Sequence, residues 1–234
     1  AYLDFCKKEQ REYMQGGFLE EIDKFDYRFF GESLRQAKLM SPCQRLFLQV
    51  AWNSIVDAGY EGERIKGTST GIYLGYIADE IVDYKKMLID TQNGDLSEAM
   101  IGNTSSIIAS RIAYLLDLKG PAISVDTACS SSLVALHLAC QGINRGECDM
   151  AIAGGVKINL ARVKGQLDIG IQSPTNQVKT FDNNADGTCI GEGVAAVLLK
   201  GAEEAKRDGD RIYAVIKGSA VNQDGKSMGL TAPS

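Results

Sequence analysis

A strand that must give way to a helix within one short turn constrains this chain more than any other feature. After the breaker pair Gly120-Pro121, the run Ala122 to Val125 reads as a short buried strand. Beyond Ser132, the residues Leu133, Val134, Leu136, Leu138 and Ala139 lie among small side chains at a spacing that suits a buried helix. Cys129, in Asp126-Thr127-Ala128-Cys129-Ser130-Ser131-Ser132, therefore stands where the strand turns abruptly into the helix. A thiol there gains from the positive end of the helix dipole, and unpaired backbone N–H groups face whatever binds. The same N–H groups suit the oxyanion formed when a thiolate attacks a thioester carbonyl. This is the layout of a nucleophile elbow with cysteine in place of serine.

The rest of the chain reads as alternating strands and helices. Ala1 to Gln15 is polar and predicts a surface segment. Gly16-Gly17 punctuates it, and Phe18, Leu19, Ile22, Phe25, Tyr27, Phe29 and Phe30 then form an aromatic-rich patch expected in the core. Ser41-Pro42-Cys43-Gln44 has an N-cap serine, proline at N1 and glutamine at N3, and predicts a helix that Gly59 stops. Cys43, in its first turn, is expected to be a spare surface thiol. Gly71 to Ile77 predicts a strand, Asp79 to Gly94, with a mixed helical pattern and charges, a peripheral, partly exposed segment, and Ile107 to Leu116 a helix ended by Leu118-Lys119-Gly120-Pro121. Asp149 to Ala153 predicts a buried strand closed by Gly154-Gly155. With the preceding strand and helix it forms a βαβ unit, which argues for a parallel sheet. Val194 to Leu199 and Ile212 to Ile216 predict two more strands, with a helix over Ala202 to Asp208 that Gly209 ends. The class is α/β, and no linker divides the chain.

Of the 234 residues, 44% are hydrophobic, enough for a sizeable core and against disorder. A net charge of −5 gives no reason to expect nucleic acid or an anionic membrane as partner. No apolar run approaches the roughly 20 residues that span a bilayer, and Ala1 to Gln15 is no signal peptide. The six cysteines, Cys6, Cys43, Cys129, Cys140, Cys148 and Cys189, show no CxxC spacing, so reduced thiols in a cytoplasmic protein are expected. On that basis the match of Asn103-Thr104-Ser105 to a glycosylation acceptor carries no weight.

The segment from Asp126 through Leu133-Val134-Ala135-Leu136-His137 resembles the active-site motif of β-ketoacyl synthases, in the form used by modular polyketide synthases. The resemblance extends to Gly17-Phe18-Leu19, Phe29-Phe30-Gly31, Gln44-Arg45-Leu46, Arg145-Gly146-Glu147-Cys148-Asp149, Ala153-Gly154-Gly155-Val156, Gly218 to Gly225 and Gly229-Leu230-Thr231-Ala232-Pro233. Ser41 and Cys43 depart from the usual Asp-Pro-Gln-Gln-Arg. The resemblance implies a thiolase-like layered α-β-α-β-α fold, incomplete and mainly its first half. On it, residues 1–234 are a partial ketosynthase domain without its opening strand segment and without the C-terminal half that carries two catalytic histidines. The absence of a starting methionine agrees with an excised piece.

The implied role of Cys129 is to accept an acyl chain from a carrier-protein thioester for decarboxylative condensation with a malonyl-type extender. The implied donor is an acyl carrier protein bearing phosphopantetheine, no bound cofactor or metal is implied, and the intact domain is a homodimer with the strand before Cys129 near the twofold axis. Ala109-Ser110-Arg111-Ile112 and Asn222-Gln223-Asp224-Gly225 resemble the branch whose acyltransferases act in trans, and the latter loop borders the substrate entrance on the same resemblance. Two rivals remain: a synthase-like domain that passes acyl chains on without extending them, and a non-catalytic dimerisation or carrier-docking module.

Other candidate sites are weaker. His137 is the only histidine. It lies eight residues beyond Cys129, about 12 Å further along a helix axis, and is expected to pack or face solvent. The chain alone is therefore not expected to complete condensation. Asp182, Asn184 and Asp186, followed by Gly187, imitate a calcium loop, but position twelve is Gly193 and a strand follows. A polar turn with Asx bonding is the expected structure. Gly154-Gly155 and Gly191-Glu192-Gly193 lack the spacing of phosphate cradles. By resemblance Glu192 supports the site from a structural loop without taking part in catalysis.

Overall fold

A computed structural model describes residues 15–78, 84–89, 97–160 and 170–228. Its centre is a four-stranded sheet of β1 (Thr70–Gly75), β2 (Ala122–Val125), β3 (Met150–Lys157) and β4 (Gly193–Lys200), in the order β2-β1-β3-β4. β1 runs parallel to both β2 and β3, as the βαβ reading requires. β4 pairs with β3 antiparallel, so the sheet is mixed and not parallel throughout. That pairing carries β3 straight through Gly154 and Gly155, which lie opposite Ala196 and Ala195 and do not end the strand.

The helices are α1 (Leu34–Leu39), α2 (Pro42–Asp57), α3 (Ser97–Gly102), α4 (Ser105–Leu116), α5 (Ser131–Asn144) and α6 (Ala202–Asp208). Alternate strand residues face opposite sides. Ile72, Leu74, Met150 and Ile152 meet Phe47, Leu48 and Ile55 of α2 and Ile108 and Ile112 of α4 in the main core. Tyr73, Val125, Ala151 and Ala153 meet Ala135 and Ala139 of α5 on the other face. The described residues thus form one sheet between two helical layers. No helix among them is long and apolar enough to cross a membrane.

Local chemistry accounts for the helix ends. Ser41 caps α2, its hydroxyl accepting the Gln44 N–H, with Pro42 in the first turn; Gly59, at φ +74°, follows the C-cap. Gly209 plays the same part after α6, again at φ +74°. α4 stops earlier than the Gly120-Pro121 breaker, at Asp117, which is left-handed with φ 52°. The short helix α1, capped by the Ser33 hydroxyl, has too few residues to show a period in the sequence.

Several expectations are corrected. Ile212 to Ile216 forms no strand; Ile212, Tyr213, Val215 and Ile216 are exposed, and among the described residues no neighbouring strand takes up their backbone groups. β2 is an edge strand paired only with β1, so it is half-buried, and Ile123 is 39% exposed. α5 buries a stripe of small residues, Ser131, Ala135, Ala139 and Gly142, while Leu133 stands 70% exposed. The aromatic patch lies at the margin of the core: Phe25 and Phe30 stack, with centroids 5.3 Å apart, and Phe29 is exposed with its edge towards Trp52. Ala1 to Met14 and most of Asp79 to Gly94 lie outside the described residues; of the latter, 84–89 is helical and buries Tyr84 and Leu88.

Cys43 is also a correction, being buried and not at the surface. The first turn of α2 is covered because Asn103 binds it: Asn103 Oδ1 accepts from Ser41 N and Gln44 Nε2, both at 2.9 Å. Its Nδ2 donates to Leu39 O at 2.6 Å and Ala99 O at 2.8 Å. Both amide hydrogens are used and the residue is fully buried, which gives a second reason against a glycan there. Asn103→Leu strands these partners and is expected to destabilise the protein by about 3 kcal/mol. A urea midpoint within error of wild type would contradict this.

At the far end of β4, Lys200 Nζ lies 2.6 Å from Asp208 Oδ2, Asp210 Oδ2 and the Tyr60 hydroxyl. The Tyr60 hydroxyl also donates to Asp210 at 2.8 Å, tying the turn after α2 to the end of α6. The Lys200 ammonium holds the Asp208 carboxyl below its ordinary range. At Asp210 burial pushes the other way, and the bonds from Lys200 and Tyr60 outweigh it, so that carboxyl is lowered as well. Lys200 is raised because its three bonds outweigh the cost of burial. Lowered carboxyls stabilise the fold above the ordinary aspartate value of about 3.9, and the contribution fades as pH falls through their folded values. The raised lysine contributes below its ordinary value of about 10.4 and is lost only as pH rises through the higher folded value. The urea-midpoint gap between wild type and Lys200→Met is therefore expected to be wide at about pH 7 and narrow at about pH 2.5. An equal gap at both would contradict the cluster's role.

Candidate active site

The register of the sheet puts Gly75, Val125 and Gly155 side by side at the C-terminal ends of the three parallel strands. That edge is where open α/β sheets present their ligand sites. β2 ends at Val125, a single 3₁₀ turn over Ala128–Ser130 follows, and α5 begins at Ser131. Cys129 occupies the middle of that turn and is exposed. The strand-to-helix position read from the sequence is thus present, with the thiol one turn ahead of the helix proper.

Two glycines allow α5 to start so close to the sheet. A Cβ on Gly75 would lie 2.5 Å from Ser132 N and 2.6 Å from the carbonyl carbon of Ser131. One on Gly155 would lie 2.9 Å from Ser132 Cβ. The helix start rests directly on the backbone of β1 and β3, which explains Gly155 as a point of close approach; Gly154 has the same function against the Ala195 carbonyl. Farther along, the Tyr73 ring stands under Gly142. Burial pushes the Tyr73 phenol up to about 12 and raises the neighbouring Cys148 thiol as well.

The turn itself is sharply bent. Ala128 has φ 53°, a left-handed conformation that costs a residue with a Cβ about 1 kcal/mol. Local bonds hold it: Thr127 N donates to Ser131 Oγ at 2.9 Å, and Ser131 Oγ donates to Ala128 O at 2.7 Å. Ala128 N donates to Asp126 Oδ1 at 3.1 Å, and Ser130 Oγ donates to Thr127 O at 2.8 Å. The Ser130 N–H donates to Thr127 O. Among the described residues no group takes the Cys129 N–H, so it remains open beside the thiol. A thioester carbonyl held there would meet a nucleophile and a hydrogen-bond donor together.

The other singled-out residues lie apart from this turn. His137 sits along α5, its Nδ1 2.8 Å from the Ser219 hydroxyl, where it anchors the 212–228 segment to the helix. Glu192 accepts from Leu19 N and Asn159 N, each at 2.9 Å, and so ties two segments together. In the 182–187 loop, Asp182 Oδ1 accepts the Asn184 N–H at 2.7 Å, an Asx turn as expected. Asp186 pairs with Lys179 and Ser173 at 2.6 and 2.7 Å, and the Lys179 bond holds its carboxyl below the ordinary range. The loop Asn222 to Gly225 is exposed. Sequence reasoning missed Ser131 and Gly75, since their importance lies in contacts no periodicity encodes.

Residues 3–205 match the β-ketoacyl synthase N-terminal domain family, and the chain belongs to it. It is 46% identical, over 93% of its length, to polyketide synthase PksM of Bacillus subtilis. It is 45% identical, over 94% of its length, to the pikromycin polyketide synthase component PikAII of Streptomyces venezuelae. The chain spans only 5% and 6% of those two proteins. Among solved structures, the ketosynthase from module 6 of the bacillaene synthase of Bacillus subtilis superposes with a TM-score of 0.83 at 42% identity. That match covers 93% of this chain and 36% of the ketosynthase. The oxazolomycin ketosynthase domain OzmH KS7 of Streptomyces albus gives 0.78 at 36% identity. The fold is accordingly the thiolase-like fold of ketosynthases, and the chain accounts for about a third of such a domain.

Proposed function

We propose that this chain is the N-terminal and central part of a polyketide ketosynthase domain and carries its acyl-accepting nucleophile. The observation that supports this most is the exposed Cys129 on a bent turn at the C-terminal ends of the parallel strands. In the proposed reaction the Cys129 sulfur attacks the carbonyl carbon of an acyl thioester on the phosphopantetheine arm of an acyl carrier protein. The open Cys129 N–H steadies the oxyanion, the bond from carbonyl carbon to pantetheine sulfur breaks, and the pantetheine thiol leaves with a proton. A malonyl-type thioester then loses carbon dioxide. Its carbanion attacks the acyl carbonyl, Cys129 is released, and the chain is two carbons longer.

Decarboxylation needs further groups, and among the described residues the single histidine, His137, lies farther along α5 and is engaged with Ser219. The second half-reaction is therefore assigned to the whole ketosynthase domain. The exposed edge of β2, carrying Ile123, fits the pairing of two copies about a twofold axis. A reducing cytoplasmic setting goes with the reading, and the five described cysteines are free thiols.

Intact mass measurement after incubation with an acyl-pantetheine thioester tests the proposal. One acyl adduct is expected, stable to added malonyl carrier protein, whereas the full-length domain should discharge it as a β-ketoacyl product. Folded protein that takes up no acyl group would refute the assignment.

A further inference from the structure

We propose that the Ser131 hydroxyl is a positioning group for Cys129, holding the turn in the shape that presents the thiol. The inference rests on Cys129 being the nucleophile. Ser130, Ser131 and Ser132 follow Cys129 in sequence and look interchangeable, but they are not. Ser130 and Ser132 are exposed, whereas Ser131 is 6% exposed. Ser130 turns both of its side-chain bonds onto Thr127. The Ser131 hydroxyl instead spans the bend, accepting the Thr127 N–H at 2.9 Å and donating to the Ala128 carbonyl at 2.7 Å.

A hydroxyl has one hydrogen to give and lone pairs to receive, so one atom closes both bonds. The two groups it joins bracket Thr127 and Ala128, and the Ala128 φ of 53° is a conformation alanine avoids. Ser131 is itself seated on the sheet, since its backbone lies against Gly75 with no room for even a Cβ between them. The turn is therefore clamped to the sheet through Ser131. Without the clamp, only the Asp126 contact to Ala128 N and the Ser130 bonds to Thr127 remain to hold a left-handed alanine, and Cys129, the next residue, moves with it.

The test follows from that cause. Ser131→Ala is expected to slow acylation of Cys129 by a simple acyl-pantetheine thioester about 10- to 100-fold. The loss should fall on the maximal rate and leave the half-saturating thioester concentration nearly unchanged. Glycine accepts the left-handed conformation freely, so Ala128→Gly added to Ser131→Ala should recover about tenfold of the loss relative to Ala128→Gly alone. A purely stabilising role for Ser131 would show no such rescue. Wild-type acylation by Ser131→Ala, or a loss that Ala128→Gly does not recover, would overturn the proposal. If Ser131→Ala alone does not fold, the double variant decides: recovered fold and acylation support the clamp, and failure of both rejects it. If the wild type itself takes no acyl group, the reading of Cys129 fails separately. Iodoacetamide alkylation of Cys129 then ranks the same variants, and the same order of reactivity must hold.

Discussion

Cys129→Ala is expected to abolish acyl uptake from pantetheine thioesters, with a loss on the order of 10⁴-fold or more. The size follows from the chemistry, because removal of the sulfur leaves no covalent route and the remaining N–H only polarises a carbonyl. Stability should change little, since the side chain is exposed and fills no core space. The pair of readouts matters. Uptake lost with an unchanged urea midpoint assigns the sulfur a chemical role. Uptake that persists would move the nucleophile elsewhere, to Cys140 or Cys189, which are only partly covered, and would favour a scaffold reading for this chain.

The second large effect belongs to Gly75. Its Cβ would penetrate the backbone of Ser131 and Ser132, 2.5 to 2.8 Å away, and helix backbone cannot swing aside as a side-chain tip can. Gly75→Ala is expected to cost about 3 kcal/mol in urea unfolding and to lower acyl loading at the same time. Both losses have one cause, because the helix start that β1 supports also carries the Cys129 turn. Gly193→Ala is the control: no atom lies within 4 Å of its added Cβ, so a change within about 0.5 kcal/mol is expected. Wild-type behaviour of Gly75→Ala would mean that α5 does not rest on β1 as described.

Much of this was legible in the sequence where one local rule decides the outcome. Ser41-Pro42 fixed the start of α2, Gly209 the end of α6, and Gly120-Pro121 with the run before Asp126 located β2. Where a second segment decides, the sequence reading failed. Ile212 to Ile216 has the composition of a strand, but a strand exists only with a paired neighbour, and the described residues offer none. Gly154-Gly155 looks like a strand end until β4 is laid alongside it. Leu133 belongs to an apolar helix, yet the sheet takes the small-residue stripe Ala135, Ala139 and Gly142 and leaves the leucine outward. The position of Cys129 between strand and helix was legible from the runs on either side of it. The clamp of Ser131 and the seat at Gly75 were not, since adjacent serines and scattered glycines acquire meaning only through distances.

The most direct test of the account is a short pulse of acyl-pantetheine thioester on the wild-type chain, quenched and mapped peptide by peptide across all six cysteines. Acyl label is expected to accumulate first and predominantly on the peptide containing Cys129, with the buried Cys43 and Cys148 unlabelled. Comparable early labelling of Cys140 or Cys189 would contradict it, because the turn between β2 and α5 would then confer nothing that an ordinary partly exposed thiol lacks.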